Sequence, residues 1–147
     1  MSNPPTVPFE ATLHVRDHCL CFGAQRAARA LARRFDAAFR PLGLTNNQFS
    51  LMMSLNRPEP PGLGSVAAFL GMDRTTLTAA LKPLERRGLV RVAPGEGDKR
   101  SRKLSLTEQG HALLAAALPI WERTHAEVDA GLGEQGVGLL RQLHALS

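Results

Sequence analysis

The chain has 147 residues, 44% of them hydrophobic and 21% charged, with a net charge of +5. That length and balance describe one compact domain, with or without an oligomerisation arm, and exclude a chain that is disordered throughout. Nine basic residues against three acidic ones make the segment from Arg74 to Lys103 +6, so the rest of the chain sums to −1 and the positive field is concentrated where a polyanion could be bound.

Residues 1–16 read as a tail. The opening MSNPPTVPFE has adjacent prolines and no apolar run of about 7 to 15 residues, so it is neither a signal peptide nor a membrane span, and a cytoplasmic location follows by default. Cys19 and Cys21 are too close in sequence for an intrachain disulfide framework, which fits a reducing compartment. From Cys19 to about Phe39 runs a stretch whose positions Ala24, Ala28, Leu31, Phe35, Ala38 and Leu42 step by four and three, predicting a long helix with Asp17 as its cap and Pro41 and Gly43 ending it. Thr45 and Gln48 form a capping box for a second helix, which carries Phe49, Met52, Met53 and Leu55 and stops before Pro58.

Two short helices follow, about 63–70 and 74–87, joined by Gly71, Met72 and Asp73 in a helix-turn-helix pattern. Asp73 caps the second. Leu77, Leu81 and Leu84 make its apolar stripe, which turns Arg74, Thr75, Thr78, Ala79 and Lys82 outward, and Gly88 ends it. Pro83 predicts a kink rather than an end, because the apolar stripe continues past it. Residues 89–92 and 102–106 alternate apolar and polar around the turn-rich PGEGDKRS, so they pair as a hairpin. Thr107 opens another long helix, bent at Pro119, and glycines at 131, 133, 136 and 138 loosen its link to a leucine-rich last segment. The expected fold is mainly α with a small β-hairpin wing. In it, residues 45–106 are a winged helix-turn-helix DNA-binding lobe, and 17–44 with 107–147 form a helical dimerisation region.

The run LGSVAAFLGMDRTTLTAALKPLERRGLVRVAPGEGDKRSRKLSLTEQG, from Leu63 to Gly110, resembles the winged-helix core of the MarR family of bacterial transcriptional regulators. The resemblance covers roughly Asp17 to the C-terminus and implies a homodimer in which first and last helices of two chains pair. It implies a wing that probes the minor groove, with Arg100 at the tip beside Lys99 and Arg102, and Asp98 orienting the arginines. CLCFGAQRAARAL and RPLGLTNNQFSLM are similar to the branch that senses organic hydroperoxides through one cysteine, which places the sensor at Cys21. That branch holds its thiolate with tyrosine hydroxyls, and this chain has no tyrosine.

In a helix-turn-helix the second helix enters the major groove, so Arg74, Thr75, Thr76 and Thr78 are the expected base and phosphate contacts, with Lys82 on phosphate. A solvated polar face is the alternative for an isolated helix; the basic segment around this one decides for double-stranded DNA, as a pseudo-palindromic operator. Two residues apart on a helix, Cys19 and Cys21 face nearly opposite sides, so at most one is a sensor. Two histidines four apart, His14 and His18, invite a metal reading, but no second ligand cluster accompanies them, and neither metal nor cofactor is predicted. Phe49, Met52, Met53 and Trp121 are candidates for an effector pocket, taking a small molecule where the sensor is not a peroxide-reactive thiol; a plain hydrophobic core is their competing duty. A nonspecific architectural DNA-binding protein and a thiol enzyme built on Cys21 are the rival functions, the second without a nucleophile, base and orienting residue at recognisable spacing.

Overall fold

Capping chemistry sets most of the element boundaries. The structure, a computed structural model, describes residues 1–95 and 97–147, with Asp98, Lys99 and Arg100 described as backbone alone. It divides into two compact units, Met1–Arg34 and Phe35–Ser147.

In the first unit the helix starts earlier than the sequence suggests. α1 spans Phe9–His18, so residues 9–16 are helical rather than part of a tail. Pro8 stands at its N-cap in extended backbone, where a missing N–H costs nothing, and Glu10 lies in the first turn. Periodicity could not reveal this helix, since none of its residues is buried. Asp17, expected as a cap, lies inside the last turn with its carboxylate 2.7 Å from the Arg16 guanidinium, and His14 lies within the helix, its ring stacked 4.2 Å from that of His18. Cys19 breaks the helical path at φ −81°, ψ 108°. α2, Leu20–Phe39, resumes beyond it.

In the second unit α2 ends in a 3₁₀ turn, Arg40–Leu42, closed by Gly43 at φ 65°. α3, Asn46–Leu55, carries the expected capping box between Thr45 and Gln48. Its first N–H, on Asn46, donates to Asp36 Oδ1 of α2 at 2.6 Å. α4, Leu63–Leu70, stops at Gly71, and α5, Arg74–Arg86, starts under the Asp73 cap and contains Pro83 without interruption. Leu77, Leu81 and Leu84 are buried, as the stripe predicts. At the far end of α5, Arg87 Nη1 donates to the Gly43 carbonyl at 2.7 Å, holding the helix to the 3₁₀ turn.

β1, Val90–Gly95, and β2, Asp98–Leu106, pair antiparallel from Val90 opposite Leu106 to Gly95 opposite Asp98, with a register shift at Pro94 and Gly95. The strands therefore extend into most of the segment expected to be a turn, because the irregular register lets Pro94 remain in the ladder. α6, Glu108–Leu132, is one helix through Pro119, capped by Thr107. A 3₁₀ turn at Gly133–Gln135 leads into α7, Gly136–Ala145, so the glycines redirect the chain without loosening it into a loop.

The core is built where α3, α5, α6 and the wing meet. Phe39, Met52, Val66, Leu77, Leu84, Leu104 and Ala117 are wholly enclosed, and the Phe39 and Phe49 rings stack at 4.8 Å. One junction is especially tight: the Thr107 hydroxyl donates to the Gly88 carbonyl at 2.6 Å and accepts the Gly110 N–H at 3.0 Å. A Cβ added at Gly110 would strike the Leu89 carbonyl oxygen, whereas one at Gly131 meets nothing within 4 Å. Gly110→Ala is therefore expected to cost ~1–3 kcal/mol by overpacking. Gly131→Ala should gain about 0.5–1 kcal/mol of helix stability. Thermal unfolding of the two variants checks both signs.

Candidate nucleic-acid interface

Because three leucines fasten one side of α5 to the core, its other side faces water. Arg74, Thr75, Thr78, Ala79 and Lys82 line a shallow concavity of about 320 Å³ along that side. Ala79 contributes no polar atom, so the hydrogen-bonding groups sit at the N-terminal turn and at Lys82. Thr76 is exposed too, but its hydroxyl donates to Asp73 Oδ2 at 3.0 Å while its N–H donates to Oδ1 at 2.7 Å. Thr76 therefore belongs to the cap and stands apart from the concavity. The Thr78 hydroxyl donates back to the Arg74 carbonyl at 2.8 Å, leaving its oxygen free to accept. The Arg74 guanidinium lies over the backbone of Gly64 at the start of α4, where an added Cβ would stand 2.7 Å from Nη2. Glycine there leaves the arginine room to lie flat across the two helices.

The hydrogen bonds of Thr76, backbone first and hydroxyl second, hold the Asp73 carboxyl below its usual range. Asp73 is thus an ionised cap whose charge favours the N-terminus of α5.

The wing is braced from behind. The Leu104 N–H donates to the Pro61 carbonyl at 2.9 Å and Gly62 bridges to Lys103, so the loop leading into α4 forms a partial third strand beside β2. Arg102 and Lys103 are exposed on β2. Gly97, at φ 79°, turns the hairpin, and Asp98 and Arg100 lie on β2 just past it. The side chains of Asp98, Lys99 and Arg100 lie outside the described residues.

Both thiols are free. Cys21 is exposed on α2 and its Sγ accepts a bond from Gln25 Nε2 at 3.3 Å. Cys19 is partly buried at the break between α1 and α2, and its Sγ accepts the Phe22 N–H at 3.4 Å in the manner of a helix cap. The two sulfurs thus have separate partners.

A second concavity, about 640 Å³, opens between α3, α6 and the helix-turn-helix. Phe49, Met53 and Trp121 line it, as the sequence suggests. Met52 does not: it is 0% exposed and serves the core, being one residue round the helix from Met53. Sequence reasoning missed the opposite wall, Phe69, Leu70 and Met72, and also Leu118. α4 has one polar side chain, Ser65, among otherwise apolar residues, so spacing did not single out Phe69, which is 69% exposed.

A capped second helix with a polar outward face, followed by a hairpin braced against the first, defines a winged helix-turn-helix protein. The sequence profile of the MarR family matches residues 44–101. The organic hydroperoxide resistance transcriptional regulator of Bacillus subtilis is 31% identical over 101 residues, 69% of this chain and 69% of that protein. The transcriptional activatory protein BadR of Rhodopseudomonas palustris is 32% identical over 113 residues, 74% of this chain, which spans 65% of BadR's length. Among solved structures, the DNA complex of the Mycobacterium tuberculosis regulator MosR superposes with a TM-score of 0.80 at 40% identity, covering 88% of this chain and 93% of that one. The chain belongs to the MarR family.

The Asp73 cap makes a prediction about acid. Its folded carboxyl titrates below its unfolded one, so the cap's contribution is complete above the unfolded pKa and is lost as pH falls through the folded value. Thermal unfolding from pH 7 down to pH 2 should show Asp73→Asn, which keeps an uncharged cap, losing less stability on acidification than the native chain.

Proposed function

We propose that this protein is a homodimeric, sequence-specific DNA-binding repressor of transcription, acting in the cytoplasm. The observation that carries this reading is the outward face of α5, where Arg74, Thr75, Thr78 and Lys82 share one concave surface within a +6 stretch of chain. Arg74, Thr75 and Thr78 are of the right type to reach base edges or phosphates, Lys82 is placed for phosphate, and Thr76 acts through the cap. The wing adds Lys99, Arg100 and Arg102, with an arginine in a narrow A·T-rich minor groove and Asp98 orienting its neighbours. The DNA-bound state of the MosR relative supports the assignment.

A dimer follows from unpartnered apolar surface. Phe9, Val15 and Leu20 are exposed in the first unit, and Val137, Leu140 and Leu146 in the second, apolar surface that a second copy of the chain would cover. Two lobes related by a twofold axis would address half-sites about 34–36 Å apart. An effector that favours another separation by about 1–3 kcal/mol would weaken operator binding 5- to 150-fold.

Two release routes have support. The cleft around Phe49, Met53 and Trp121 joins α6 to the helix-turn-helix, so an occupant would touch both. Cys21 is exposed and thiol-bearing where the B. subtilis relative is named for hydroperoxide resistance. Its thiolate would attack a hydroperoxide oxygen, breaking the O–O bond to give a sulfenic acid and an alcohol.

Selection of bound duplexes from a random pool, followed by salt titration, tests the function. We expect an inverted-repeat site bound ~10³-fold or more above random duplex, with a steep negative salt slope that Lys82→Ala makes shallower by about one phosphate contact. An affinity ratio near one would favour an architectural role, and a flat slope would remove the electrostatic basis. Under cumene hydroperoxide the native dimer should leave its selected site, and Cys21→Ser should stay bound; release of Cys21→Ser at the same dose would take the role from Cys21.

A further inference from the structure

Arg74 is the first residue of α5, directly after the Asp73 cap. A side chain at that position projects back past the end of its own helix, because Cα–Cβ bonds tilt toward the helix N-terminus. Here it reaches α4. A Cβ added on Gly64, the second residue of that helix, would stand 2.7 Å from Arg74 Nη2, 3.4 Å from Cζ and 3.6 Å from Nε, so the guanidinium lies across the glycine. α4 carries no acidic residue to hold it there, and among the described residues the guanidinium makes no hydrogen bond or ion pair. Shape alone therefore sets its direction, and its N–H donors stay available to a ligand.

That direction decides what the arginine can touch. In a helix-turn-helix the first helix crosses the DNA backbone while the second lies in the major groove, so a guanidinium laid back over the start of α4 stands beside phosphate. Its fork of paired N–H groups suits a phosphate, and such a contact carries no sequence information. The same fork turned into the groove would reach O6 and N7 of a guanine, which is base reading. What must yield to a Cβ at position 64 is the far end of a flexible side chain and not backbone, so a substitution there redirects Arg74 and leaves both helices in place.

We infer that Gly64 is a specificity-determining position: its missing side chain lets Arg74 grip the DNA backbone, and a side chain there would turn Arg74 into a reader of base edges. The inference rests on the proposed binding of an operator by α5. The full-length protein and its Arg74→Ala, Gly64→Ala and doubly substituted variants are each put through selection from a random duplex pool, and their affinities are measured across a salt series. Arg74→Ala should weaken the selected site and random duplex by the same factor, make the salt slope shallower by about one contact and leave the selected motif unchanged. Gly64→Ala should add a guanine preference of at least ~5-fold at one step of each half-site, which the double variant should lack. Its thermal unfolding should come no earlier than that of the native chain, since alanine is the better helix former. A motif position lost in Arg74→Ala, an exposed substitution that stands as a test by itself, would mean that the native arginine reads a base and would overturn the inference. So would a folded Gly64→Ala whose motif matches the native one. A native protein that selects no motif would instead remove the operator-binding reading.

Discussion

The burial of Leu77, Leu81 and Leu84 beneath α5 is the constraint on which the rest depends. Each is at most 2% exposed, so this one stripe fixes the rotation of the helix about its axis. A helix held that way has no freedom to choose its wet face: Arg74, Thr75, Thr78 and Lys82 must point outward together. Burial of apolar area at ~25 cal/mol per Å² is nondirectional, and direction comes from close packing against Met52, Val66 and Leu104. The shared polar face on one side of α5 is thus a consequence of hydrophobic packing on the other.

Polar contacts at the ends of α5 then set its position along the axis. Asp73 closes the N-terminal turn through Thr76, and Arg87 fastens the C-terminal end to the carbonyls at Leu42 and Gly43. Beyond Gly88 the chain passes at once into the wing, and the Thr107 hydroxyl ties the wing's return to the Gly88 carbonyl. Helix, wing and α6 therefore share one junction. That economy explains why small residues cluster there: Gly88 turns at φ 71°, and Gly110 leaves space for the Leu89 carbonyl.

The cleft and the cysteines occupy different parts of this arrangement. The cleft adjoins the turn before α5, within the larger unit, and its uncharged lining follows from α3 and α4 presenting apolar and hydroxyl-bearing side chains to one another. Cys19 and Cys21 lie in the smaller unit around the break between α1 and α2. Met72, in the cleft's lining, directly precedes the Asp73 cap of α5. α2 runs from the smaller unit into the larger, where Phe39 is buried and Asp36 accepts the Asn46 N–H.

Local rules carried much of this architecture in the sequence alone. The Thr45–Gln48 box, the Asp73 cap, the leucine stripe of α5 and the alternation of residues 89–92 each depend on neighbours within a few positions, and each element formed where those signals stand. The family membership was legible for the same reason, because its signature is a contiguous run. What tertiary structure decided was everything set by residues distant in the chain. α1 has no buried stripe to announce it. The strands reach past the expected turn because their register is negotiated between two chains of atoms rather than along one. Met52 went to the core and Met53 to the cleft, a division that periodicity cannot make without knowing where α6 lies. Phe69 joined the cleft because the partner wall, Leu118 and Trp121, comes from some fifty residues away, and no local pattern encodes a meeting at that distance.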